Sequence, residues 1–161
     1  MRCTPPPPAF YRIGKQFYPN GNIKSEITSL GRFVFIDTSR YYDEDGYLVK
    51  EVYENKKFSA IKPAYILNFL EKGGWINLKT GKGRTIIKGK GSDLIEYDEC
   101  VFELRFEPIG ESYFIKNNKV PIWVVTITGT QQNKFEETTY LIDGETGRVL
   151  KKETINSFKP V

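Results

Sequence analysis

Chemistry at neutral pH runs mostly through histidine, cysteine or paired carboxylates, and this 161-residue chain has no histidine. That excludes Ser-His-Asp and Cys-His triads, an imidazole base poised near pH 7, and a His-ligated zinc. The two cysteines, Cys3 and Cys100, cannot make a four-thiolate site, and their wide spacing is no disulfide framework. Cys100 shares one face of an alternating strand with Phe102, Leu104 and Phe106 and reads as a small core hydrophobe rather than a nucleophile.

Carboxylates and lysines remain. Between 93 and 111 stand Asp93, Glu96, Asp98, Glu99, Glu103, Glu107 and Glu111, with Arg105 as the only base. Paired carboxylates can cleave glycosides or hold a divalent cation. Glu103, Arg105 and Glu107 alternate with Phe102, Leu104 and Phe106, however, so they fall on the solvated outer face of a strand. The stretch from Lys72 to Lys90 is basic and Gly-rich, yet Thr80-Gly81-Lys82-Gly83-Arg84-Thr85 lacks the spacing of a phosphate loop. Its opposite charge to the acids that follow predicts cross-strand pairing between the two. A net charge of +4 is mild and spread, so a weak nucleic-acid contact through Lys79–Lys90 is an alternative and not the leading expectation. No catalytic residue, metal ligand or cofactor is assigned.

Recognition is the chemistry left over. Tyr41, Tyr42, Asp43, Glu44, Asp45 and Tyr47 form an acidic turn ringed by tyrosines, which offer contact area at low entropic cost. Lys79, Lys82 and Arg84 make a second, basic candidate surface. The first also has a purely structural reading, in which its tyrosines pack a sheet while its acids keep the tip soluble.

These residues need elements to hold them. Aromatic and β-branched enrichment with frequent Gly favours sheet, and the length predicts one domain over 10–161 behind a Pro-rich segment at 1–9. Asn20-Gly21 and Asp45-Gly46 are hairpin turn pairs and predict a meander of strands near 11–18, 22–29, 32–42 and 47–54. Ile61, Ala64, Ile66, Leu67 and Leu70 make the stripe of a helix over 60–72, with Ser59 as its cap and Gly73-Gly74 as its end. Beyond it, hairpins are expected at 75–78 with 84–88, at 113–116 with 120–128, and at 134–142 with 148–155. The fold class is therefore α+β, an antiparallel meander plus one helix packed on a curved antiparallel sheet.

Residues 17–51 hold two copies of one unit, with an aromatic four residues before Gly21 or Gly46, an aliphatic two after (Ile23, Leu48) and a glutamate five after (Glu26, Glu51). This spacing resembles the MORN-variant repeat found in bacterial proteins of the antitoxin and immunity type. The resemblance implies a non-enzymatic protein that neutralises a cognate toxin by direct contact. A mild positive charge argues against a nuclease toxin, whose inhibitor would be strongly acidic. Trp123-x-Val125, Tyr140-Leu141-Ile142-Asp143 and Thr146-Gly147-Arg148-Val149-Leu150 resemble the closing strands of PepSY-type modules. That similarity implies the alternative of an envelope module with a structural or regulatory role. Cys3 ahead of Pro5–Pro8 resembles a lipoprotein tether, which would place the protein in the bacterial envelope through a lipid on Cys3, and otherwise in the cytoplasm.

Overall fold

The computed structural model describes residues 2–3, 9–88, 96–131 and 134–158. Strands β1 (Arg2–Cys3), β2 (Tyr11–Phe17), β3 (Ile23–Leu30), β4 (Val34–Tyr42) and β5 (Leu48–Tyr53) form an antiparallel five-stranded meander in chain order. A 3-10 turn at Glu54–Lys57 leads to the helix α1 (Pro63–Lys72). Then β6 (Arg84–Lys88) pairs with β7 (Glu96–Cys100), and β8 (Phe102–Glu107), β9 (Ile122–Gln131), β10 (Lys134–Asp143) and β11 (Val149–Phe158) form a second sheet in the order β11-β10-β9-β8. The α+β reading holds.

The four expected meander strands match the structure to within a few residues. The helix starts later than expected. Pro63 is its first residue, and a proline clashes with helical backbone at the residue before it. Lys62 is accordingly extended, at φ −88° and ψ 163°, so Ala60 and Ile61 cannot be helical and Ser59 cannot cap. The other end follows the glycines: the N–H of Gly74 donates to Glu71 O (2.9 Å) and that of Trp75 to Leu70 O (3.2 Å), a Schellman closure.

Two expected strands are loops. Residues 75–78 are not paired, because Asn77 Oδ1 accepts the N–H groups of Lys79 (3.0 Å) and Thr80 (2.8 Å) and folds the segment into a turn. β6 pairs instead with the acidic strand β7, in a register that sets Lys88 opposite Glu96. Residues 113–116 are held by Ser112, whose Oγ accepts from the N–H groups of Phe114 and Ile115, and by buried Asn118, which donates to Pro108 O and Val120 O.

One core joins both sheets. Leu30 and Val34 from the meander and Ile66 and Leu70 from α1 meet Leu104, Trp123, Val125, Tyr140 and Ile142 from the second sheet. Trp123, Val125 and Ile127 share the inner face, as their alternation requires. Trp123 stacks on Phe58 (5.1 Å between centroids), meets Phe106 edge-on (5.0 Å), and donates its indole N–H to Ile61 O at 2.9 Å. The N–H of Ile61 in turn donates to Gly144 O (2.8 Å), and Gly144 N–H to Pro121 O (2.7 Å).

The turn at 143–147 closes this knot. Burial acts to raise the pKa of Asp143, but backbone N–H groups of Glu145 (2.8 Å) and Thr146 (3.1 Å), the Thr146 hydroxyl and the Arg148 charge outweigh it. Its carboxyl is held below the usual 3.8. A depressed folded-state pKa adds stability above the unfolded value and loses it as pH falls through the folded one. The stability lost in Asp143→Asn, read from melting temperature against pH, should be constant near neutrality and shrink below about pH 4. A gap that does not narrow in acid would contradict this account. Trp123→Phe keeps the ring stacking but strands the Ile61 carbonyl, and should cost about 1–2 kcal/mol in urea titration.

Candidate recognition surfaces

The two meander hairpins are copies at the level of individual bonds. Gly21 and Gly46 stand at φ +89° and +91°, where a side chain is disfavoured. In the first, Tyr18 N–H donates to Asn22 O and Gly21 N–H to Tyr18 O; in the second, Asp43 and Tyr47, then Gly46 and Asp43, repeat both bonds 25 residues on. A register shift falls at the same place in each, before Phe17 and before Tyr42.

The copies also stack. Tyr18 OH donates to Tyr42 O (2.8 Å), and Asn20 Nδ2 and Asn22 Nδ2 both donate to Glu44 O (2.8 and 2.7 Å). Across the strands, Lys15, Glu26, Arg40 and Glu51 lie in register on β2 to β5. They form a row of alternating charge, with Lys15–Glu26 at 2.7 Å, Arg40–Glu26 at 3.6 Å and Arg40–Glu51 at 3.0 Å. The two glutamates were legible in the repeat. Their bases, Lys15 and Arg40, are also 25 residues apart and were missed, although the same period could have found them.

The residues expected to bind a partner divide by role. Asp43 Oδ1 accepts from the N–H groups of Asp45 (3.1 Å) and Tyr47 (2.8 Å), so this acid shapes the turn. Tyr41 lies under Lys50 Nζ (5.8 Å), and Tyr42 is half-buried beside the first hairpin. Glu44, Asp45 and Tyr47 face solvent, Tyr47 at 72% exposure. The exposed surface continues along the sheet edge with Leu48, Val49 (62%) and Tyr53, which the sequence reading did not single out. Lys79 and Lys82 are exposed on the turn after α1, but Arg84 is only 7% exposed and donates to Ala9 O. The backbone of Cys3 pairs with Ile13 on β2, while Pro5–Pro8 lie outside the described residues.

The described residues line two concavities away from the hairpin tips. One, of about 850 Å³, lies between the meander and α1 and is lined by Phe10, Leu30, Ile36, Leu67 and Leu78. Asp37, Asn55 and Lys62 also line it, and Lys62 Nζ is engaged by Phe58 O at 2.7 Å. Asp37 stands at φ +60° with its N–H donating to Asn55 Oδ1 (3.2 Å), a left-handed conformation that costs a non-glycine residue about 1 kcal/mol. The second, of about 350 Å³, lies on the outer face of the second sheet between Glu103, Glu137, Glu153, Tyr113 and Phe114. Arg105 pairs with Glu103 there at 3.2 Å, on the outer face the alternation predicted. Among the described residues no group of His, Cys, Asp or Glu side chains is placed to hold a metal ion. Nor is any of their helices long and apolar enough to cross a membrane.

No protein-family model, curated protein or solved structure matches the chain.

The charge row is partly exposed and should behave as a set of screened pairs. Arg40→Met, which removes the base shared by Glu26 and Glu51, should cost about 0.5–1 kcal/mol in urea titration at low salt. Most of that loss should vanish in about 1 M NaCl, where screening is nearly complete. An unchanged loss at high salt would mean that Arg40 acts by packing alone.

Proposed function

We propose that this protein is a non-enzymatic binding protein of the bacterial antitoxin or immunity type, which neutralises its partner by direct contact. The observation that carries the reading is the open end of the meander. Tyr47, Leu48, Val49 and Tyr53 form an exposed aromatic and aliphatic run on an edge strand and its turn. Soluble proteins usually blunt such edges, and an exposed apolar run of this kind suits an interface centre. The carboxylates Glu44 and Asp45 supply a polar rim beside it. The stacked 25-residue hairpins support the resemblance to MORN-variant repeats, since each hairpin is rigidly placed by its neighbour and needs little ordering on binding.

Partner capture through this end can be tested in the host cell. A photo-crosslinking residue at Tyr47 should trap one protein in stoichiometric yield, whereas the same group at Glu145, on the turn between β10 and β11, should trap none. Val49→Lys should cut the Tyr47 yield at least tenfold without lowering the melting temperature, because Val49 is exposed. Expression of the trapped protein alone should arrest growth, and co-expression of this chain should restore it. Equal trapping from both positions, or a trapped protein with no effect on growth, would defeat the proposal.

A further inference from the structure

We infer that β5 takes up one extended strand from the partner protein, and that this strand places an arginine or lysine opposite Glu51. The inference rests on the protein-binding reading above and names the chemistry of what is bound. Its basis is the charge row across the meander. The signs run plus, minus, plus, minus from Lys15 through Glu26 and Arg40 to Glu51. Glu26 and Arg40 each touch a neighbour on both sides, and among the described residues Glu51 pairs only with Arg40. Consistently, the Glu51 side chain is 50% exposed against 26% for Glu26. The row stops at the sheet edge on an acid, so the next strand in register is favoured when it carries a base there.

The hairpin tips say what kind of strand this is. Asn20 and Asn22 clasp the Glu44 carbonyl of the second hairpin. Twenty-five residues on, their places are taken by Asp45 and Tyr47, which carry no side-chain amide. The tip therefore lacks the clasp for a third stacked hairpin, while the strand edge beside it stays open. The occupant is a lone strand, held by main-chain hydrogen bonds and by side chains over Leu48, Val49 and Tyr53.

A second copy of the chain does not fit this edge. In a two-fold antiparallel pairing of β5 with itself, residues opposite each other project to the same face. Glu51 would then meet Glu51, Tyr53 or, past the irregularity at Val49, Leu48 of the other copy, none of them basic. The charges at Lys50 and Glu51 thus discourage self-association while selecting a strand of complementary sign.

The test uses the full chain and short capped Val/Thr peptides with Arg, Gln or Glu at the centre, titrated by NMR. The Arg peptide should bind about threefold tighter than the Gln peptide, and the Glu peptide weakest, with slowed amide exchange confined to β5. Glu51→Lys should invert the order, a gain of binding for the Glu peptide that misfolding cannot mimic. A charge order that survives Glu51→Lys, protection away from β5, or a dimer through β5 in sedimentation would each overturn the inference. Trapping from Tyr47 that Glu51→Lys leaves intact would overturn strand addition and leave the binding reading standing. Peptide binding with the expected inversion, but no trapped partner in the host, would do the reverse.

Discussion

The fold hangs on the indole of Trp123. A fully buried tryptophan brings a large apolar area and one N–H that must be satisfied, and here the acceptor is the carbonyl of Ile61. That bond fixes the segment entering α1 against β9, and through Ile61 N–H and Gly144 it reaches the turn that closes β10 and β11. Phe58 stacks on the same ring from the segment leaving the meander. One side chain thereby sets the position of the meander, the helix and the second sheet relative to each other. A helix of ten residues is too short to persist alone, so its placement depends on this anchoring.

The outer half of the meander is organised by different physics. Toward the chain ends of its strands, Leu30 and Val34 enter the common core. Toward the hairpin tips there is little apolar burial, and order comes from polar bonds between successive hairpins. Tyr18, Asn20 and Asn22 each spend a donor on a carbonyl of the next unit. Each bond is worth only about 1 kcal/mol net, so the arrangement works by repetition and register. An end built in this way can stay exposed without collapsing, because its geometry does not require burial.

How far the sequence revealed this depends on the range of the forces involved. The meander turns were legible because Asn20-Gly21 and Asp45-Gly46 require a positive φ that few residues tolerate, a purely local constraint. The helix end at Gly73-Gly74 was legible for the same reason. Its start was not, because the stripe from Ile61 onward is apolar at helical spacing while the constraint of Pro63 on Lys62 acts one residue upstream. At 75–78 the apolar alternation imitated a strand, but Trp75 and Ile76 fill the core beneath the helix end and Asn77 turns the chain. The acidic turn was found and only half of it faces outward, since Asp43 serves the backbone. Leu48 was legible only as the aliphatic of the repeat and Val49 not at all, and only the sheet order reveals that, among the described residues, no strand lies on the side of β5 away from β4.

Two long edges show how the same problem receives different answers. β11 is also an edge, with Val149, Leu150 and Ile155 exposed. Its charges are nonetheless engaged within its own sheet: Lys151 pairs with Glu153 at 2.5 Å, and Lys152 lies over the Tyr140 ring at 5.3 Å. On β5 Lys50 likewise lies over the Tyr41 ring, but Glu51 shares its guanidinium with Glu26 across the strands and ends that row at the sheet edge, flanked by exposed apolar residues. Complementary charge on an arriving strand adds to what is there instead of replacing it. That difference, between an edge whose charges pair along their own strand and one where a cross-strand charge row ends, is what sets the two edges apart chemically.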